Sequence, residues 1–299
     1  MTIRFDNRVA IVTGAGGGLG RAYALALAER GAKVVVNDLG GSRDGTGASD
    51  AAAKVVEEIR AAGGTAYANG GNVANFEQMS EMVAKTKEHW GRVDILINNA
   101  GILRDKTFAK MEMADFQTVL DVHLTGSANC TKAVWDTMRE QAYGRIVMTT
   151  SSTGLYGNFG QANYGAAKMG LVGLMNTLAI EGAKYNVRCN SIAPVAATRM
   201  TEDLMPPEML AKLAPGTVVP ATLFLCSEDA PNKAIFNAGG GGFERTYVTI
   251  TRGIHLDGDD MTVEAIAAQW EAVGDRAGEI VPENGSAQGA MALGLHQSA

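Results

Sequence analysis

The sequence predicts an α/β protein organised as a doubly wound, mostly parallel sheet. Three observations carry that expectation. Short apolar runs rich in β-branched residues recur along the chain, Arg8–Thr13, Lys33–Asn37 and Val93–Ile97 among them, each too short for a helix. Amphipathic or alanine-rich stretches of helical length separate these runs. The first run enters a glycine-rich turn, Gly14–Gly20, and a helix and second strand follow, which is the order of a βαβ unit.

Length and composition set the bounds. A chain of 299 residues suits one large α/β domain or two small ones. At 46% hydrophobic and 19% charged it has ample material for a core. The net charge of −6, from 26 basic and 32 acidic residues, argues against nucleic acid as a partner, and no basic tract reverses the argument. The first residues carry charges and read as a strand rather than a signal peptide, and no apolar run reaches membrane-spanning length. His296–Ala299 is neither a peroxisomal address nor a lipidation motif, so a cytoplasmic location without membrane contact is expected. Cys130, Cys189 and Cys226 lie far apart and read as buried thiols in a reducing compartment. The four histidines are equally scattered, and no metal is expected.

Taken in order, Arg8–Thr13 is a buried strand and Arg21–Arg30 an alanine-rich helix stopped by Gly31. Between them Gly14, Gly17, Gly18, Leu19 and Gly20 form a turn whose backbone can approach a pyrophosphate at the helix N-terminus. Lys33–Asn37 is the second strand and ends at Asp38, eighteen residues beyond Gly20. A carboxylate there accepts hydrogen bonds from adenosine ribose hydroxyls and repels a 2′-phosphate, which favours NAD over NADP. The bland alternative is an aspartate in a strand-end turn, and Arg43 nearby is able to neutralise a phosphate. Gly40–Asp50 is unusually long for a βαβ connection. It reads either as a flap over the adenosine or as a tolerated insertion.

Ala51–Ala62 is an amphipathic helix, Thr65–Asn69 a third strand, and Asn72 and Val73 follow where an amide can meet the adenine. Asn75–Trp90 is a helix and Val93–Ile97 a fourth strand, ending in Asn98, Asn99, Ala100 and Gly101, small and amide residues suited to a dinucleotide at a switch point. Asp115–Glu140 is a long helix broken or bent near Gly126. Arg145–Thr150 is the fifth strand, and Ser151 follows it directly.

Tyr164 and Lys168 open the next helix, 162–184, four residues apart and so on one face. A phenol titrates near 10 and is a poor acid or base at neutral pH, but an adjacent ammonium favours the phenolate. Taken alone, this pair also suits a solvated helix face. Asn186–Ile192 is the sixth strand, with Pro194, Thr198, Arg199 and Met200 after it. Met200–Leu213 is methionine-rich, which suits an adaptable apolar pocket or an ordinary core. Ala234–Ala238 is the last sheet strand, Phe243–Ile250 alternates like an exposed strand, and Thr262–Val273 is a final amphipathic helix. The closing Gly-, Ala-, Ser- and Gln-rich segment is expected to be disordered or to wrap a partner subunit.

TGAGGGLG, the aspartate at 38, NNAG, Ser151 and the Tyr164/Lys168 pair occur in that order in one chain. Together they resemble the short-chain dehydrogenase/reductase family over about residues 5–240. That resemblance implies a Rossmann-type seven-stranded sheet in a single domain, 1–256, with a C-terminal extension, 257–299. It implies Ser151, Tyr164 and Lys168 as catalytic residues. It implies NAD held by Gly14, Gly17, Gly18, Leu19, Gly20, Asp38, Asn72, Val73, Asn99, Ala100, Gly101, Tyr164, Lys168, Pro194 and Thr198. It implies pairing of the small-residue helix 162–184 with its copy, hence a homo-oligomer.

A narrower likeness lies in VVVNDLGG with its insertion, KVVEEIRAAGG, NNAGILRDKTFAKM, YGNFGQANYGAAK and NSIAPVAATRMT. These resemble the (3R)-hydroxyacyl-CoA dehydrogenase branch, a domain of the multifunctional enzyme of peroxisomal β-oxidation with stand-alone bacterial relatives. The chain ends without room for hydratase and sterol-carrier domains, so a dehydrogenase alone is expected. The substrate implied is a (3R)-3-hydroxyacyl-CoA, with Arg104, Lys106 and Arg199 as candidates for a basic rim. A hydroxysteroid or other secondary alcohol, or a non-catalytic NAD sensor, are the rival readings. Two positions depart from the family pattern. His123 stands where many members carry a catalytic asparagine, and reads as a water-positioning residue or as a packed helix residue. Val195 stands where a glycine usually follows the proline.

Overall fold

The computed structural model describes residues 2–42, 44–47, 49–197 and 207–293. The chain divides into two compact units, Met1–Arg245 and Thr246–Ala299.

In the first unit the strands are β1 (Val9–Thr13), β2 (Lys33–Asn37), β3 (Thr65–Asn69), β4 (Ile95–Asn98), β5 (Gly144–Thr149), β6 (Val187–Pro194), β7 (Ile235–Gly239) and β8 (Gly242–Thr246). They form one sheet in the order β3-β2-β1-β4-β5-β6-β7-β8. The first seven pair in parallel. They are the seven strands of the doubly wound sheet that the sequence predicts. The eighth is the expected exposed strand, shorter than predicted and joined to the sheet edge. It follows β7 through Gly240 and Gly241, whose φ values of +58° and +92° suit a two-residue hairpin turn that other residues rarely enter.

Helices cover both faces, which is why the central strands read as continuous apolar runs rather than alternating ones. One core holds Ala10, Val12, Val34, Val36, Ile95, Ile97 and Val147, packed under α1 (Gly18–Glu29), α2 (Ala51–Ala61) and α9 (Val219–Cys226). The other takes the alternate residues Ile11, Val35, Leu96, Ile146 and Met148, under α3 (Phe76–Trp90), α5 (Gly126–Glu140) and α7 (Ala162–Gly182). Period-two side-chain alternation thus splits each strand between two layers. All three cysteines are buried free thiols.

Helix ends follow local chemistry. The Asn75 side chain caps α3 by accepting from Gln78 N, and Gly91 ends it at φ +77°. The long helix expected over Asp115–Glu140 is three pieces: α4 (Met113–Leu120), a π-helical turn Asp121–Thr125, and α5. The break precedes Gly126, where a Cβ would lie 2.7 Å from Val73 Cγ2. Three helices were not evident in the sequence. They are α6 (Ser152–Tyr156), α8 (Pro207–Lys212) and α9, the last apolar on all sides and so without amphipathic period.

The second unit holds α10 (Val263–Ala268), α11 (Trp270–Val273) and α12 (Gly285–Ala292), with an antiparallel bridge between Ile250 and Ile280. The single final helix expected over Thr262–Val273 is therefore two, because the chain leaves helical geometry at Gln269. The closing segment is helical rather than disordered over 285–292, where the Asn284 side chain caps α12 through Ser286 N.

Gly20 tests the close approach of α1 to its loop. A Cβ there would lie 2.2 Å from Gly14 O and 2.6 Å from Asn99 Nδ2. Alanine is the better helix former by ~1 kcal/mol, but forcing a methyl into backbone costs ~1–3 kcal/mol. Gly20→Ala should therefore lower stability in chemical denaturation despite its helix propensity. An unchanged or raised midpoint would show that the loop shifts freely.

Candidate active site

The strand order reverses between β1 and β4, so their carboxyl ends diverge and open a crevice at the topological switch point. The lips of that crevice are tied together by side chains. Thr13 Oγ1 accepts from both Asn99 N and Ala100 N at 3.0 Å. The Asn99 amide donates back to Thr13 O at 3.0 Å and Gly14 O at 3.1 Å. This clamp holds the glycine loop against the end of β4. A cleft of about 670 Å³ lies above it, lined by the loop, the ends of β4 and β5, and α7.

The glycine turn has the features of an anion cradle. Gly17 caps α1 in extended backbone, no side chain caps the helix, and no acidic residue stands in its first turn. Gly14 has φ +61°, and a Cβ there would lie 2.7 Å from Ala100 Cα. Asp38 is held at the rim, accepting from Gly16 N at 2.8 Å through one oxygen and from Gly40 N at 2.7 Å through the other. Each carboxylate oxygen keeps lone-pair capacity for a further donor. These residues fit the adenosine and pyrophosphate of a dinucleotide. The Asn72 amide oxygen accepts from Ala74 N at 3.0 Å, which fixes the turn beside Val73.

Residues 40–42 and 44–47 lie on this side of the cleft. Asp44 Oδ1 accepts from Ser42 Oγ, Thr46 N and Thr46 Oγ1, which draws its carboxyl down to about 2. Arg104 Nε reaches Asp44 O at 3.4 Å from the opposite lip. These residues thus reach across the cleft to Arg104.

On the other wall, Ser151 lies just past β5 and caps α6, its Oγ accepting from Thr153 N at 3.1 Å. Tyr164 stands in the first turn of α7 with the Ser151 hydroxyl as hydrogen-bond partner. Lys168 is 3% exposed. Its Nζ donates to Thr149 O at 2.6 Å and lies 5.4 Å from the Tyr164 ring centroid.

The electrostatics differ from the sequence expectation. Lys168 was expected to lower the Tyr164 pKa, yet burial raises it, with the Ser151 hydroxyl working against that and Asp105 adding to it. Burial brings Lys168 itself down to about 7. Both charged forms lose hydration in one enclosed site, and that loss outweighs their mutual attraction.

His123 lies in the π-helical turn beneath these groups, its ring meeting Tyr164 edge-on at 5.2 Å. Its Nε2 is 2.8 Å from Ile102 O and 3.1 Å from Ile102 N, so Ile102 holds this nitrogen in either tautomer. Nδ1 is buried without a hydrogen-bond partner. Burial, then the charge of Lys168, hold the ring well below its usual pKa and so neutral. A Cβ at Gly101 would lie 2.2 Å from His123 Cε1, so the glycine of NNAG is what admits the ring.

Of the residues singled out in the sequence, Gly14, Gly17, Gly18, Leu19, Asp38, Asn72, Val73, Asn99, Ala100, Gly101, Ser151, Tyr164, Lys168 and Pro194 all line one cleft. Gly20 does not line it; it packs beneath, against Gly14 and Asn99. Thr198, Arg199, Met200, Met205 and Arg43 lie outside the described residues. Arg104 and Lys106, expected on a basic rim, both turn to Asp115, at 2.7 and 3.6 Å. Val195 lines the cleft, and Gly239 lies against it, where a Cβ would be 2.2 Å from Val195 O.

Sequence reasoning missed Thr13, although its position directly before the glycines was a usable signal. It also missed the polar set Asp105, Gln161, Thr153 and Asn158, which only the fold assembles. Among the described residues no group of acidic, histidine or cysteine side chains is placed to hold a metal ion, and no helix is long and apolar enough to cross a membrane.

Comparison with known proteins agrees with this geometry. The short chain dehydrogenase family model matches residues 8–208. A short-chain type dehydrogenase/reductase of Mycobacterium tuberculosis is 52% identical over 91% of this chain and 96% of its own length. The solved full-length peroxisomal multifunctional enzyme type 2 of Drosophila melanogaster superposes with a TM-score of 0.82 at 40% identity, covering 98% of this chain, which spans 50% of that one. A 7α-hydroxysteroid dehydrogenase solved with NADH and a 7-oxo bile acid superposes with a TM-score of 0.72 at 31% identity over 80% of this chain and 95% of its own.

Lys168 yields a test independent of any substrate. Its pKa is lowered from 10.5 to about 7, so the folded state binds fewer protons than the unfolded state between those values. The cost of the buried charge is complete below pH 7 and is relieved as pH rises toward 10.5. Lys168→Met should therefore gain stability over the parent most at pH 6, and the gap should close with rising pH. In the ligand-free protein, NMR of ε-labelled lysines should show one resonance titrating near 7, absent in the variant.

Proposed function

The chain belongs to the short-chain dehydrogenase family, and on that premise we propose that it oxidises a (3R)-3-hydroxyacyl-CoA with NAD. The reading is carried by one observation: Ser151, Tyr164 and Lys168 converge on a cleft whose facing wall is the glycine loop with Asp38. When bound there, NAD supplies the acceptor for the hydride of the alcohol carbon.

The chain's own groups then divide the remaining work. Gly14, Gly17, Gly18 and Leu19 present backbone to the pyrophosphate, and Asp38 accepts from ribose hydroxyls while repelling a 2′-phosphate. Ser151 and Tyr164 hold the alcohol oxygen. Tyr164 removes its proton, which requires the phenolate in a site that otherwise disfavours it. Lys168, titrating at about 7, supplies a cation beside the phenolate and holds the nicotinamide ribose.

The likeness to the multifunctional enzyme supports the acyl-CoA reading. A hydroxysteroid is the second reading, favoured by the likeness to the bile-acid complex, which also supports NAD as cofactor. We propose further that α5 and α7 pair with their copies in a symmetric oligomer; α7 offers exposed Met169 and Ile180 for this.

Purified protein with NAD should form NADH from (3R)- but not (3S)-3-hydroxyacyl-CoA. Turnover of a steroid alcohol alone would move the assignment to the second reading. Tyr164→Phe should lower kcat about 10²- to 10⁴-fold. Asp38→Ser should weaken NAD and reduce the discrimination against NADP, measured as the ratio of the two kcat/KM values.

A further inference from the structure

We propose that Asp105 is a specificity-determining charge: it excludes substrates that carry a free carboxylate two carbons from the alcohol carbon and admits the same acid once it is esterified. This deepens the function proposed above and rests on it.

Asp105 lines the same cleft as Ser151 and Tyr164 and is fixed there from several sides. Gln161 Nε2 donates to Asp105 Oδ2 at 2.7 Å. The Asp105 carboxylate only accepts, so it takes the amide N–H2, and Gln161 Oε1 is left to accept from Asn158 Nδ2 at 3.1 Å and from Thr153 Oγ1 at 2.9 Å. The backbone is pinned on both sides of Asp105. Asn163 Nδ2 donates to Arg104 O, and Lys106 N donates to Gly160 O, both at 3.0 Å. The cations adjacent in sequence, Arg104 and Lys106, are turned to Asp115 instead. Asp105 is thus an anion held by a neutral amide.

The charged and titratable groups facing Tyr164 come from three elements. They are Lys168 on its own helix, His123 from the π-helical turn, and Asp105 from the segment after β4. His123 is neutral and Lys168 is directed to Thr149 O, and Asp105 is the anion whose charge acts on Tyr164.

A 3-hydroxy acid seated with its alcohol between Ser151 and Tyr164 places its carboxylate two carbons away, in the cleft that Asp105 lines. Two like charges ~6 Å apart at an effective dielectric constant of ~20 repel enough for roughly a hundredfold loss, and partial exposure reduces that toward tenfold. An ester or thioester carries no such penalty. The site would therefore act downstream of the reaction class that activates acids as thioesters.

The test compares a short (3R)-3-hydroxy acid with its methyl ester and its N-acetylcysteamine thioester, using NAD and either parent or Asp105→Asn. The parent should favour the neutral compounds by about ten- to a hundredfold in kcat/KM, with the gap narrowing at high salt. Asp105→Asn should close the gap to within about threefold through a gain on the acid, and Asp105→Glu should keep it. A parent indifferent to the charge, or an Asn variant that loses activity on acid and ester in proportion, overturns the proposal. Turnover of none of them would defeat the hydroxyacyl reading. The charge rule is then read by titrating the protein–NADH complex with the 3-oxo acid and its methyl ester. Tighter binding of the ester, lost in the Asn variant, upholds it; equal affinity or no binding overturns it.

Discussion

The clamp between Thr13 and Asn99 is the constraint on which the site depends. Two parallel strands that diverge at a switch point offer unpaired backbone at their carboxyl ends. Here one hydroxyl satisfies the N–H groups of Asn99 and Ala100, and one amide satisfies the carbonyls of Thr13 and Gly14. Four backbone groups that a bare crevice would leave to water are paired by two side chains. The glycine loop is thereby fixed relative to β4, and Gly20 lets α1 descend onto it. The open helix N-terminus and the carboxylate of Asp38 then face one space.

The opposite wall is governed by burial rather than by pairing. Tyr164 and Lys168 sit in a region where either charge is costly, so each is held toward its neutral form. Such a site resists ionisation until an opposite charge or a polar ligand arrives. A phenol and an amine poised this way are more responsive than an exposed pair, whose interaction water would screen. His123 is consistent with that economy. It is neutral, locked to Ile102, and supports the tyrosine ring by packing. The packed-residue reading of His123 therefore describes its contacts, while its Nδ1 is buried without a hydrogen-bond partner.

Between the two walls, the segment after β4 and the loop before α7 are stitched by polar side chains. Asp105, Gln161, Thr153, Asn158 and Asn163 form a connected set at the substrate side. Their orientation follows from donor and acceptor counting: the Asp105 carboxylate only accepts, so it takes the Gln161 N–H2, which turns the Gln161 oxygen to Asn158 and Thr153. The rigid anion at this end is a product of that chain of choices.

The sequence by itself determined the sheet, because strands buried on both faces must be apolar throughout, and Ile11 and Val12 read as core without knowing which layer each enters. It also determined the cofactor-side cradle, since a tight turn into a helix demands glycines at fixed offsets. It placed Ser151, Tyr164 and Lys168 on one site through the four-residue spacing and the family pattern. What it did not contain was the balance of charge. Spacing puts Lys168 near Tyr164, but the sign of their effect depends on how deeply both are buried. Nor did it contain α9 or the Asp105 network. These arise where residues distant in sequence meet, as Gln161 meets Asp105. Hydrogen-bond partners and desolvation are properties of surroundings, and only the tertiary structure supplies the surroundings.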